Sequence, residues 1–271
     1  MRTRHRLAVA VAALVVVLAA CGSDGASRST TTARAAGAST TAGPLRGTIT
    51  VSAAASLTEA YTQIAKDFEA THPGTKVTLD FDSSGTLAQQ ILDGAPVDVF
   101  TSADEANMAK LTDRDLVDGT PTVIARNQLI IVTKPGNPKG IETLADLSTA
   151  GVISLCGLHV PCGRFAQQAL DRAGVKIPER NVTRGQNVKA TSTAVTEGDA
   201  VAGIVYVTDA QAAGEPVDAV AIPAAQNVIA TYPSGVLAAS KHADLAKAFV
   251  AYVASDDGQA VLKEQGFLPP R

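Results

Sequence analysis

Four short stretches of this sequence place small or hydroxylated residues where a helix should begin. They are Ala53-Ala54-Ala55-Ser56-Leu57-Thr58-Glu59, Asp82-Ser83-Ser84-Gly85-Thr86-Leu87, Val160-Pro161-Cys162-Gly163 and Gly185-Gln186-Asn187-Val188. The first N–H groups of a helix have no partner within it, and the aligned peptide dipoles leave partial positive charge there. Each start is therefore a seat for an anion. Glycine and alanine at such places let a ligand approach the backbone closely. Ser56, with Glu59 three residues on, also fits the capping box, and a serine cap is an ordinary way to begin any helix. Spacing alone does not say whether the four starts face one point.

The elements that must carry these residues alternate between β-rich runs and amphipathic segments. Strands are expected over 48–51, 76–81 and 97–100, with helices over 57–70, 85–92 and 105–111. In the first helix Leu57, Ala60, Tyr61, Ile64, Ala65 and Phe68 recur at helical spacing. A second set has strands over 129–132, 152–155, 203–206 and 219–222, with helices over 163–173, 188–197 and 208–213. An extended stretch over 227–239 and helices over 241–254 and 256–265 close the chain. The rhythm implies an α/β fold of mostly parallel sheets flanked by helices. Two similar lobes joined by two extended crossings explain it: 47–128 plus 227–271 for the first, 129–226 for the second.

Ahead of this body, Arg2, Arg4, His5 and Arg6 precede the one long apolar run, from Leu7 to Ala20. A basic start and a run too short for a comfortable span describe a secretion signal. It ends Leu18-Ala19-Ala20-Cys21, which resembles the bacterial lipoprotein cleavage box, so residues 1–20 are expected to be removed and Cys21 lipidated. Of residues 22–46, 19 of 25 are Ser, Thr, Ala or Gly, a composition unable to order itself and suited to a flexible tether. The body would thus sit outside the cell membrane, held to it by lipid. Processing leaves 20 basic against 26 acidic residues, a formal charge of −6. That balance excludes a strongly basic nucleic-acid binder, and the lone apolar run excludes a polytopic membrane protein.

Cys156 and Cys162 remain, in an oxidising compartment, and are expected to form a disulfide. Closing so small a loop stabilises by roughly 2 kcal/mol on the chain-entropy estimate and would stiffen the segment carrying Cys162. Two other readings stand beside it. Cys156, His159 and Cys162 could ligate a metal, although a fourth ligand is missing, or Cys162 and His159 could pair as nucleophile and base in an exported Cys-dependent enzyme. His72 and His242 read as surface residues.

The run Val51-Ser52-Ala53-Ala54-Ala55-Ser56-Leu57-Thr58 resembles the opening of the molybdate-binding proteins that serve ABC importers. So do 81–87, 94–104, Gly203-Ile204-Val205-Tyr206 and the terminal Gly266-Phe267, so that the resemblance spans about 47–271. It implies a two-lobed, type II periplasmic-binding-protein fold that closes on a tetrahedral oxyanion. The implied donors are the hydroxyls of Ser56 and Ser84, the backbone N–H groups of Cys162 and Val188, and the hydroxyl of Tyr206. It further implies no covalent chemistry and no cofactor, with molybdenum present only as molybdate held by those five residues. The implied partners are an ABC permease and its ATPase, and the family is usually monomeric. Cys162 stands where the family usually has Ala, and Asp82 and Gly85 also depart from its commonest pattern.

Molybdate and tungstate are dianions at neutral pH whose oxygens only accept hydrogen bonds, so neutral donors suit them. Such donors also avoid an ion pair whose desolvation offsets much of its attraction. Phosphate keeps a proton on part of its population and calls for an acceptor. Sulfate and phosphate are therefore the rival ligands for the same fold. Asp82 and Asp98 are the carboxylates that could reach the cleft, and Asp98 is expected to make a structural hydrogen bond.

Overall fold

Strand β1 (Gly47–Ala54) lies between two parallel partners, β2 (Thr75–Asp82) and β3 (Val99–Thr101). These belong to a computed structural model that describes residues 45–271. The expected signal peptide, Cys21 and the tether up to residue 44 lie outside the described residues. Leu45, two residues before the expected start of the body at 47, already packs against the core.

The crossovers of the first half carry α1 (Thr58–Thr71) and α2 (Ser84–Leu92), and α3 (Glu105–Thr112) follows β3. Strand β9 (Ile229–Val236) pairs antiparallel to β3, and β4 (Thr122–Thr133) antiparallel to β9. Strand β4 is the link. It pairs with β9 up to Gln128, and from Leu129 onward with β7 (Ala202–Tyr206) and then β8 (Asp218–Ala221). Beyond β7, β5 (Ile153–Cys156) and β6 (Val182–Gly185) continue in parallel. The second half also holds α4 (Pro161–Ala173), α5 (Val188–Thr196) and α6 (Val207–Ala213). The closing helices α7 (Ala243–Ala254) and α8 (Asp256–Glu264) return to pack on the first half.

Pairing is parallel within the βα units and antiparallel wherever β4, β8 or β9 takes part. Two elements differ from the sequence reading. The apolar run at 129–132 is only the second half of the 12-residue β4, whose first half is masked by Arg126, Asn127 and Gln128. Strand β6 escaped notice because an edge strand reading Val-Thr-Arg-Gly carries one apolar residue and is half-exposed.

Helix α1 buries Ala60, Tyr61, Ile64, Ala65 and Phe68, the stripe set by its periodicity. Phe68 meets Phe249 of α7 edge-on at 5.4 Å, and burial of such a side chain contributes about 2–3 kcal/mol. A smaller cluster under α2 and α3 contains Leu87, Phe100, Met108 and Leu111. Asp98 accepts from Thr50 N at 2.8 Å and from Ser240 Oγ at 2.6 Å, tying the start of β3 to the chain after β9. Among the described residues no helix is long and apolar enough to cross a membrane.

Candidate functional site

Local chemistry sets how each helix begins. Ser83 caps α2, its Oγ accepting from Thr86 N at 3.2 Å, which makes Ser84 the first helical residue. Asn187 caps α5 by accepting from Ala190 N at 3.0 Å, so Val188 is first there. Helix α4 begins with Pro161, whose missing N–H costs nothing at that position, and Cys162 follows. The next residue is a glycine because a Cβ on Gly163 would overlap the Gly157 carbonyl. The capping box expected at Ser56 does not form. Ser56 sits inside a 3₁₀ turn (Ala55–Leu57), and the residue before α1 is Leu57, which caps nothing. The Ser56 hydroxyl bonds instead to Tyr232 Oη at 2.8 Å, a stronger claim than a cap because both groups are buried.

These starts, together with Tyr206 at the end of β7, line one narrow cleft, with about 10 Å³ open to the centre of a water molecule. Ser56 and Ser84 come from the first half of the fold, and Cys162, Val188 and Tyr206 from the second. All five are at most 3% exposed. Among the described residues the Cys162 and Val188 N–H groups donate to no backbone acceptor. No Lys, Arg or His is among the cleft-lining residues. Asp82 does line it, but its Oδ1 is already held by Ser83 N at 2.6 Å and Asn187 Nδ2 at 3.0 Å. Asp98 lies outside the cleft, in the bonds given above.

Partners set the direction of the Ser84 and Asn127 protons. Ser84 Oγ accepts from Ala103 N at 2.9 Å, which leaves its own proton for another acceptor. Asn127 Oδ1 accepts from Gln128 N at 2.9 Å, so its Nδ2 faces Thr208 Oγ1 at 2.9 Å and, more weakly, Tyr232 Oη at 3.5 Å. Either hydroxyl can donate in the Ser56–Tyr232 pair; with Tyr232 donating, the Ser56 proton is free for the cleft. Tyr206 Oη is fully buried and, among the described residues, has no hydrogen-bond partner. Burial, first of all, raises the Tyr206 hydroxyl well above its usual pKa, with Tyr232 and the carboxylates of Asp104 and Asp209 adding to the rise. It therefore remains a neutral O–H donor.

Cys156 and Cys162 are joined as a disulfide, their Cα atoms 5.8 Å apart. Thr191 Oγ1 on α5 lies 3.0 Å from the Asn187 carbonyl and 3.2 Å from Cys156 Sγ, so the disulfide packs against the first turn of α5. With the sulfurs bonded, neither the metal-ligand nor the nucleophile reading of Cys156, His159 and Cys162 keeps a free thiol.

Bacterial extracellular solute-binding proteins match residues 49–268 of the chain as a family. The chain belongs to that family. The molybdate-binding protein ModA of Mycobacterium tuberculosis is 38% identical over 262 residues, covering 96% of this chain and 95% of its own. The Haemophilus influenzae ModA is 32% identical over 228 residues, covering 81% and 89%. Among solved structures, the Azotobacter vinelandii periplasmic molybdate-binding protein superposes with a TM-score of 0.75 at 22% identity, over 82% of this chain and all of that one. The architecture is thus the periplasmic-binding-protein fold.

In this solute-binding protein the cleft is closed over by bonds between its two sides. Glu59 meets Lys189 Nζ with both oxygens, at 2.8 and 2.7 Å. Asp82 meets Asn187, and Asp104 forms an ion pair with Arg164. Each acid lies on the first half and each donor on the second, next to the helix starts that face the cleft. Sequence reading singled out Ser56, Ser84, Cys162, Val188 and Tyr206, which the fold brings together. It missed Tyr232, Asn127 and Ala103, which orient the two serines, and Lys189. No local pattern marks them, because their importance depends on which strands become neighbours.

Proposed function

We propose that this protein captures molybdate, and tungstate with it, outside the cell membrane and delivers it to an ABC permease and its ATPase. The observation that carries the reading is the buried Tyr206 hydroxyl, without a partner among the described residues, in a cleft lined by no cationic side chain, where two helix-start N–H groups without backbone acceptors and the Ser56 and Ser84 hydroxyls also lie. An unmatched buried hydroxyl costs about 1–3 kcal/mol, a cost that an incoming acceptor removes. The ligand donors are Ser56 Oγ, Ser84 Oγ, Cys162 N, Val188 N and Tyr206 Oη. A set made only of donors fits a fully ionised tetrahedral dianion. The one lining carboxylate, Asp82, has its Oδ1 engaged by Ser83 and Asn187. The likeness to ModA proteins across nearly the whole chain favours molybdate over sulfate.

The reading includes two lobes, 47–128 with 227–271 and 129–226, that close about the β4 and β9 crossings when the anion bridges them. It also includes a monomer anchored through lipidated Cys21 on the 22–46 tether, with no cofactor and no covalent chemistry. Thermal unfolding of the purified protein with molybdate, tungstate, sulfate or phosphate at equal concentration tests it. A ligand at about a hundred times its Kd adds roughly 2.7 kcal/mol, on the order of 5–10 °C for a chain of this size. Shifts with molybdate and tungstate alone are expected. Equal shifts with sulfate or phosphate, or none, would overturn the specificity or the function.

A further inference from the structure

Lys189 is the second residue of α5, directly after Val188. Its Nζ donates to both oxygens of Glu59, three residues beyond Ser56 on α1. It also stands 3.4 Å from Asp209 Oδ1, three residues beyond Tyr206 on α6, an ion pair whose geometry falls short of a hydrogen bond. The Asp209 side chain is completely buried and neither of its oxygens has a hydrogen-bond partner. One ammonium therefore joins the segments that carry Ser56, Val188 and Tyr206, three of the five donors proposed above. The charges paired with one another are the two acids and the lysine, on α1, α6 and α5, and Glu197 lines the same pocket. Without Lys189, two carboxylates would face each other across the seam between the lobes, one of them buried and uncompensated.

We infer that Lys189 is a positioning residue for oxyanion capture, holding the closed arrangement by pairing with Glu59 across the cleft while Asp209 anchors it within its own lobe. The inference rests on the oxyanion-binding reading. Affinity scales with the fraction of protein able to close, so loss of the bridge appears as weaker binding although every ligand donor remains. The Glu59 pair is 40% exposed on the acid and 30% on the lysine, so salt should weaken it.

The test is calorimetric titration with molybdate of the wild type, Lys189→Met, Lys189→Arg and Glu59→Gln, with small-angle scattering of each before and after saturation. Lys189→Met and Glu59→Gln should each raise Kd about tenfold or more, with Lys189→Arg within about threefold of wild type. At one fixed, subsaturating molybdate concentration the first two should stay more expanded than wild type. A purely structural role would move melting temperature and leave these readouts unchanged. Should Lys189→Met fail to fold, Glu59→Gln decides, since it leaves the buried Asp209 pair in place. Wild-type binding with Kd unchanged in Glu59→Gln and in any folded Lys189→Met overturns the role of Lys189 alone. Absence of molybdate binding by the wild type overturns the functional reading, and this inference with it.

Discussion

Ser56 Oγ and Tyr232 Oη lie 2.8 Å apart, joining the turn before α1 to the middle of β9 across 176 residues of sequence. Tyr232 is itself backed by Asn127, whose Nδ2 lies 3.5 Å from its hydroxyl. Tyr232→Phe should leave the Ser56 proton free to turn elsewhere. The expected outcome is about tenfold weaker molybdate binding by calorimetry, with a stability loss near the ~1 kcal/mol of one buried hydrogen bond. Unchanged affinity would remove Tyr232 from the site.

Tyr206→Phe and Ser84→Ala should move ligand-free stability in opposite directions. The Tyr206 hydroxyl has no partner, so its removal relieves part of an unmatched-group cost of about 1–3 kcal/mol and should raise the melting temperature. Ser84→Ala orphans the buried Ala103 N–H and should lower it. Both should weaken molybdate binding, by about 10- to 100-fold for a hydrogen bond to a charged ligand. Melting curves and titrations of the same two samples check all four signs.

The site was legible in the sequence where chemistry is local, and obscure where it is not. Helix starts announce themselves through Pro161, Asn187 and the Ser83-Ser84 pair, because a cap needs only neighbours in sequence. Tyr232 and Asn127 meet because β4 and β9 pair with Asn127 opposite Ala230, a register that no periodicity encodes. Glu59 has the spacing of a capping residue yet reaches Lys189, 130 residues away, because a charged partner across the seam outcompetes a local backbone bond. The fold itself was largely readable, as strand and helix periods alternate cleanly. Exceptions were β6 and the first half of β4, where Arg126 and Asn127 interrupt the apolar run.

Asp209 gives the protein a pH signature. Burial, its largest cause, raises the carboxyl to about 6, although Lys189 pulls it down. An acid with a raised folded-state pKa binds its proton more tightly when folded. Stability therefore falls as pH rises from about 4, where the unfolded carboxyl ionises, to about 6, and is level above. Asp209→Asn should remove this slope. Relative to wild type, the variant should gain about 2 kcal/mol between pH 4.5 and 7 in denaturant titrations. An equal difference at both values would contradict the assignment.

The disulfide at the start of α4 should add roughly 2 kcal/mol. Cys156→Ser with Cys162→Ala should lower stability by about that amount. Helix α4 still begins at Pro161, so its second N–H remains, and molybdate affinity should stay within a few-fold. Thiol titration of the native wild type should find neither Cys156 nor Cys162 reactive before reduction.

On this reading five donors from two lobes hold one molybdate. Diffraction at the molybdenum absorption edge from crystals grown with molybdate tests it most directly. The account predicts one strong anomalous peak in the cleft, its oxygens about 3 Å from Ser56 Oγ, Ser84 Oγ, Cys162 N, Val188 N and Tyr206 Oη. A peak elsewhere, or none from protein saturated with molybdate, would contradict it.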